Sequence, residues 1–219
     1  MPPSIEVFWS FRSPYSYLVT PRLVALDHDF DVAINVRPVY PIAIRTPDFF
    51  SRVNPQFAPY LMRDTKRVAE SLGLPFRWPP LPDPVVMDMA SYTIAAEQPY
   101  IHRLTRLGIA AVQHGRGLAY IDEVSRLIFG STVDGWHEGD HLAQAAGRAG
   151  LDGAELEAAV AADAESLEAV IEANQDDHAA AGHWGVPLMV LDGEPFFGQD
   201  RFDLLVWRLE QKGLQRRTS

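Results

Sequence analysis

Apolar and polar positions fall in blocks along this chain, and the period of each block predicts an element. Ile5 to Trp9 is a short apolar run that stops at the polar turn Ser10-Phe11-Arg12-Ser13, and it reads as a buried strand. From Pro14 to about Asp27, Tyr17, Leu18, Leu23 and Leu26 lie near helical spacing. Ser13 stands where an N-cap belongs and Pro14 where a first helical residue belongs. Val32, Ile34 and Val36 alternate with Ala33, Asn35 and Arg37, which predicts a strand over 32–39 ended by Pro38 and Pro41. The first forty residues therefore read β-α-β, a unit that favours a parallel strand pair with the helix on one face.

Residues 44–84 are irregular and proline-rich, apart from a helix predicted around Pro59 to Leu72 with Gly73 at its C-terminal end. The stretch 75–82, with its four prolines, must be extended. From Asp88 to about Ala180 the pattern reads helical throughout, punctuated by glycines. Asp140 and Asp152 are expected to cap helices over 141–149 and 153–162. A strand period returns after Gly185: Leu188 to Leu191, the turn signal Asp192-Gly193, then Pro195 to Phe197. Asp200 is expected to cap a last helix through about Gln211, and the polar, basic 214–219 to fray. The order β-α-β, helical block, β-β-α predicts an α/β fold, a thioredoxin-like sheet with a long inserted helical subdomain. Residues 1–44 with 183–219 would form the sheet domain and 45–182 the insertion.

Composition narrows the chemistry. A formal net charge of -10 argues against a nucleic-acid-binding surface. No apolar run approaches the roughly 18–20 residues of a membrane span. Met1-Pro2-Pro3-Ser4-Ile5-Glu6 lacks the basic and apolar regions of a signal peptide, so the expected location is the cytoplasm. Charge is uneven: 151–182 holds nine acidic residues and no Lys or Arg, while 1–80 holds nine basic residues against seven acids. A small anion would prefer the first region, and the acidic stretch reads as a solvated face. The chain has no cysteine, which excludes disulfides and thiolate metal sites. The strand-to-helix corner that holds the reactive cysteine in thioredoxin-like folds holds Ser13 here. Such a corner keeps its anion-binding geometry but cannot do its own thiol redox chemistry. It points to a borrowed thiol.

Three segments carry a resemblance: Phe11-Arg12-Ser13-Pro14-Tyr15-Ser16-Tyr17-Leu18; Tyr60-Leu61-Met62-Arg63-Asp64-Thr65-Lys66-Arg67 with Gly73-Leu74-Pro75-Phe76; and Gly185-Val186-Pro187 followed by Phe197-Gly198-Gln199-Asp200-Arg201. In this order, with a helical block between the second and third, they resemble the 2-hydroxychromene-2-carboxylate isomerase family, which is related to kappa-class glutathione transferases. The resemblance implies a thioredoxin-like fold with an inserted helical domain, often dimeric, that uses glutathione as cofactor. It implies that Ser13 approaches the glutathione sulfur. It implies that Val186, before a cis Pro187, pairs its backbone with the glutathione peptide, and that Gln199 and Asp200 hold the γ-glutamyl end. Asn54 would match a further glutathione contact. Residues 99–114 and 134–141 follow no family pattern, and they would help shape the substrate pocket.

Each candidate also has a plainer reading. Ser13 is an N-cap, and the two roles are compatible: free N–H groups and partial positive charge at a helix start stabilise a thiolate, and a hydroxyl adds one charge-assisted bond. In this role Ser13 is a thiolate stabiliser, not a nucleophile. Arg12, Arg45, Arg63, Lys66 and Arg67 are candidates for substrate or glutathione carboxylates, or ordinary surface cations. Tyr15, Tyr17, Phe49, Phe50, Trp78 and Trp184 are core aromatics or stacking partners for an aromatic substrate. His137-Glu138-Gly139-Asp140-His141 matches the H-E-x-x-H zinc pattern, but Gly139 and Asp140 read as a loop, so no metal site is expected.

The leading expectation is a glutathione-dependent isomerase of a small aromatic 2-oxo acid, of the 2-hydroxychromene-2-carboxylate to trans-o-hydroxybenzylidenepyruvate type. Alternatives are a kappa-like glutathione transferase and, from another class, a non-catalytic thioredoxin-like binding module.

Overall fold

Strand β1 (Ser4–Trp9) lies at the centre of the computed structural model, which describes residues 2–88 and 90–217. Ile5, Val7 and Trp9 point into the main core, while Phe8 on the other face packs with Val39 and Leu188. Burial on both faces is why this strand reads as an unbroken apolar run. Helix α1 (Pro14–Asp29) follows, and β2 (Ala33–Pro38) returns parallel to β1 with Val7 opposite Val36. The predicted β-α-β unit is present.

Two single-turn helices, α2 (Ile42–Arg45) and α3 (Phe49–Arg52), lead to α4 (Phe57–Ser71). Helix α4 fully buries only Thr65 and Ala69. Gly73, at φ +66°, supplies the left-handed residue that ends it.

The expectation of helix from Asp88 onward fails over its first dozen residues, of which Met89 lies outside the described residues. Strands β3 (Met87–Asp88) and β4 (Thr93–Ile94) form a small antiparallel hairpin instead. The Asp88 carboxylate accepts the Ala90 N–H at 2.8 Å, a local bond that competes with a helix. Gln98 then bonds both the N–H and the C=O of Val86, at 2.9 and 2.7 Å, and Pro99 follows. Helix resumes at α5 (Ile101–Gln113) and continues as α6 (Gly117–Ser125), a π-helical turn over Arg126–Gly130, α7 (His141–Arg148), α8 (Gly153–Ala162) and α9 (Ala164–Ala180).

Asp152 caps α8 as expected, accepting the Ala154 N–H at 2.7 Å. Asp140 precedes α7, but its carboxylate accepts from the Gln144 side chain at 2.8 Å and caps no backbone group. Nor is the acidic stretch simply a solvated face. Glu168 accepts from Tyr40 at 2.7 Å and pairs with Arg106, Asp177 pairs with Arg37, and Glu157 pairs with Arg103. Helices α5 and α6 pack on β2, and α6 packs on α1, so the main core runs from the sheet into the helical block.

Strands β5 (Leu188–Leu191) and β6 (Glu194–Phe197) close a four-stranded sheet of order β2-β1-β5-β6. The Asp192-Gly193 turn has positive φ at both residues, as a tight hairpin of this hand requires. The last helix, α10 (Phe202–Gln211), starts later than Asp200 predicts. A 3₁₀ turn, Gln199–Arg201, intervenes, Arg201 occupies the cap position, and the Asp200 carboxylate pairs with Arg201 at 3.1 Å. Asp200 therefore does not cap α10.

The described part of the tail does not fray. The Asp31 N–H donates to Gln215 O at 2.8 Å and the Arg217 N–H to Asp29 O at 2.9 Å, which ties the tail across the end of α1. Thr218 and Ser219, and the starting Met1, lie outside the described residues. Among the described residues no helix is long and apolar enough to cross a membrane.

Candidate active site

The corner between β1 and α1 is built from short bonds. The Ser13 N–H donates to Ser10 O at 3.1 Å, which closes the turn. Ser13 Oγ accepts the Ser16 N–H at 3.2 Å and donates to Val186 O at 3.2 Å. One hydroxyl thus caps α1 and reaches a loop 173 residues away. The Val186–Pro187 bond is cis. Pro187 O accepts the Gly198 N–H at 2.9 Å, and Gln199 O accepts from Arg22 of α1 at 3.1 Å. Ser13, Val186, Pro187 and the turn carrying Gln199 and Asp200 therefore form one cluster.

Two backbone donors in this cluster stay open: neither the Tyr15 nor the Val186 N–H has a hydrogen-bond partner among the described residues. The first sits in the opening turn of α1, where the helix dipole favours an anion. The second sits beside Ser13, as an edge for an extended peptide-like ligand. Asp200 presents an exposed carboxylate, close enough to help push the Tyr15 hydroxyl up in pKa. Donors at α1, a backbone edge at Val186 and an acid at Asp200 could hold a ligand that carries an anion, an extended peptide backbone and an ammonium group. Asn54 stands apart. Its side chain accepts the Gln56 N–H at 2.9 Å and holds its own turn.

Tyr15 donates to Asp64 at 2.5 Å. Burial first, and then Asp64, push its pKa far above the ordinary phenol value, so Tyr15 is a neutral donor and not a base. The cations divide into two groups. Arg12 is held by both oxygens of Asp83, at 2.5 and 2.6 Å, and lies over the Trp78 ring. Arg45 is used by Tyr40 O and Trp184 O, at 2.7 and 3.0 Å. Arg67 is paired with Asp64. These three are not free for a carboxylate. Arg63 and Lys66 on α4 are exposed, with no acidic partner among the described residues.

The aromatics divide likewise. Tyr17 is wholly core. Trp184, next but one to Val186, is half exposed and lies 5.2 Å from Phe49, which continues to Phe50 and Phe57. This is an apolar wall beside the Ser13–Val186 edge. Phe197 packs so closely on Gly185 that any side chain there would collide with its ring. Cavities of about 340 and 460 Å³ lie elsewhere, and neither is lined by Ser13 or Val186.

His137 sits in a turn and His141 is the first residue of α7, so the two imidazoles do not share a helix face. Sequence reasoning misses several contributors. Asp83, through Arg12, brings the proline-rich segment to the corner. His178 stands behind the Val186 loop beside Arg45, a cation that the sequence does single out, with His178 Nε2 2.9 Å from Gly185 O. Nothing in the local sequence marks His178 except a polar residue on a helix.

The family model described as DSBA-like thioredoxin domain matches residues 4–210. No curated protein sequence matches. Among solved structures, the chain is similar to a 2-hydroxychromene-2-carboxylate isomerase, with TM-score 0.69, 19% identity and 95% of each chain covered. It is similar to a probable DsbA oxidoreductase from Streptomyces coelicolor, with TM-score 0.65, 20% identity, and 99% of this chain and 92% of the other covered. It is also similar to the cytosolic disulfide reductase DsbM from Pseudomonas aeruginosa, solved with GSH, with TM-score 0.62, 17% identity, and coverages of 95% and 98%. At these identities the likeness shows the fold.

Proposed function

This chain belongs to the DSBA-like thioredoxin domain family, and from that premise we propose that it is a glutathione-dependent isomerase of a small aromatic 2-oxo acid of the 2-hydroxychromene-2-carboxylate type. The observation that carries the reading is Ser13. It occupies the helix-start corner, its Oγ bonds Val186 O at 3.2 Å, and no cysteine exists anywhere in the chain. A disulfide reductase or oxidase working through its own thiols is excluded by that composition. Two structural relatives, one named as the isomerase and one solved with GSH, support the same direction.

When bound, glutathione would supply a thiolate that adds reversibly to a conjugated double bond and leaves after rotation, so it is returned unchanged. The chain's own residues bind and orient. On binding, the Ser13 hydroxyl would turn its one proton from Val186 O to the sulfur, which the Tyr15 N–H would also face; the Val186 N–H and its freed C=O would pair the peptide, and Asp200 with the Gln199 turn would receive the γ-glutamyl end. Trp184 and Phe49 would take the aromatic ring. Arg63 and Lys66, which pair with no carboxylate among the described residues, are the best candidates for a substrate carboxylate. A cytoplasmic location and a homodimer belong to the same proposal.

The test is calorimetric titration with glutathione, beside Ser13→Ala and Asp200→Ala. The expected result is an affinity between about 1 μM and 1 mM, weakened in both variants. No heat at several millimolar overturns the glutathione reading and favours a non-catalytic binding module. Product analysis then separates isomerase from a kappa-like transferase: a free isomer against a stable thioether.

A further inference from the structure

Gly185 is gripped from both sides by imidazoles. The His178 Nε2 lies 2.9 Å from Gly185 O, and the Gly185 N–H donates to His183 Nδ1 at 3.0 Å. Arg45 completes the arrangement. It reaches His178 Nδ1 at 3.3 Å, Trp184 O at 3.0 Å and Tyr40 O at 2.7 Å. The protonation states follow from the partners. A carbonyl only accepts, so His178 Nε2 carries the proton. A guanidinium only donates, so His178 Nδ1 is a bare acceptor. His183 Nδ1 receives an N–H, so it too is bare. The Gly185 N–H to His183 bond and the Arg45 to His178 bond both need a neutral imidazole, whereas the His178 Nε2 bond to Gly185 O survives a proton on Nδ1.

We propose that Arg45, His178 and His183 form an acid-sensitive clamp on Gly185, which holds the Val186 backbone edge opposite Ser13 and loosens when a proton on His183 displaces the Gly185 N–H or a proton on His178 displaces Arg45. The clamp rests on the glutathione reading only for the identity of the ligand it controls. Its residues are positioning residues: they act through Gly185 and Val186.

The surroundings oppose protonation. His178 is fully buried against the Phe8 ring, with centroids 5.1 Å apart, and His183 stacks on Phe197 at 3.7 Å. The charged and titratable groups near the pair are Arg45 from α2, each histidine for the other, and Asp177 beside His178 on α9, itself paired with Arg37 of β2 at 2.5 Å. No carboxylate contacts either imidazole among the described residues. Burial lowers both pKa values; for His178 the bond to Gly185 O acts the other way, but burial together with the Arg45 and His183 charges outweighs it. Burial also pushes Arg45, which contacts no carboxylate among the described residues, down to about 10. A proton on His178 Nδ1 would set an imidazolium against a guanidinium, and one on His183 Nδ1 would set it against the Gly185 N–H.

The probe is S-methylglutathione, which has no thiol to titrate, bound at pH 7, 6 and 5. Wild type is expected to lose affinity progressively as pH falls from 7 to 5, by up to tenfold per pH unit for each coupled proton. The double variant His178→Gln/His183→Asn keeps a donor and an acceptor for Gly185 and an acceptor for Arg45, without a titrating group. It is expected to hold its pH 7 affinity at pH 5 within about twofold. A flat wild-type profile, or an equal fall in the double variant, overturns the clamp. A second measurement needs no ligand and no variant: NMR titration of the wild-type imidazoles and the Val186 amide. If S-methylglutathione fails to bind at pH 7, the ligand reading falls. The clamp then stands if the Val186 amide shifts in step with His178 or His183, and falls if it does not.

Discussion

Both carboxylate oxygens of Asp83 hold the Arg12 guanidinium, at 2.5 and 2.6 Å, with the pair about four-fifths buried. This fork joins the residue before Ser13 to a segment 71 positions on. Paired charge-assisted bonds of this geometry are the stronger kind. Asp83→Ala strands a largely buried cation and frees the turn that carries Ser13. The expected cost is about 2 kcal/mol in denaturant unfolding. Weaker glutathione binding should accompany it. An unchanged unfolding midpoint would show that the fork does not hold the corner.

Ser13→Cys places a thiol where a hydroxyl now accepts the Ser16 N–H at 3.2 Å in the first turn of α1. Helix N-termini stabilise thiolates, so its pKa should fall clearly below the ordinary ~8.5. The natural chain has no other cysteine, so pH-dependent alkylation reads this one group. Ser13→Ala, by contrast, removes the cap and should cost about 1 kcal/mol. A normal thiol pKa in Ser13→Cys would remove the argument for thiolate stabilisation.

Much of this corner is legible in sequence because its signals are local. Ser13-Pro14 marks a helix start, and Gly185-Val186-Pro187 and Gly198 mark tight backbone. The sheet reads well for the same reason: β1, β5 and β6 are short runs with turn signals beside them. Legibility ends where long-range contacts decide. Arg12 and Arg45 look like free cations until Asp83 and the Trp184 carbonyl are brought to them by the fold. Asp200 looks like a cap, but the backbone at Gly198 turns first and inserts a 3₁₀ turn. Residues 88–100 look helical by period, yet Asp88 and Gln98 bond the nearby backbone and win. His178 carries no local signal, because its partners Arg45 and Gly185 come from other elements.

Gly198 has φ +94° and ψ 158°, a conformation open essentially to glycine alone, and an added Cβ would lie 2.6 Å from Asp200 Oδ1. Gly198→Ala should cost about 2 kcal/mol and lower Tm by about 4–8 °C. It should also displace the Gln199–Asp200 turn and weaken glutathione binding. Gly147→Ala is the control: it is helical with nothing within 4 Å of the new carbon. It should be neutral or stabilising by up to about 1 kcal/mol. Equal Tm values for the two variants would refute the strain argument.

A polar contact ties helix α4 to the corner. Tyr15 donates to Asp64 at 2.5 Å, while Arg67 bonds the other oxygen at 2.6 Å. Burial would raise the Asp64 pKa, but the bonds from Tyr15 and Arg67 outweigh it and hold the carboxyl below its ordinary value. A carboxyl whose folded pKa is depressed contributes stability above its unfolded pKa of about 3.9, and that contribution is lost as pH falls through the folded value. Tyr15→Phe keeps the ring and removes the donor, so it tests this bond with little change in packing. At pH 7 it should cost about 1.5 kcal/mol, and the gap from wild type should shrink below about pH 4 as Asp64 protonates in both proteins. Hydrogen exchange locates the effect. Amides of α4 should lose protection in Tyr15→Phe, because that helix fully buries only Thr65 and Ala69 and adds a partly buried Val68 to the core. A gap that stays constant from pH 7 to pH 3 would mean that the Tyr15 hydroxyl does not act through the Asp64 charge.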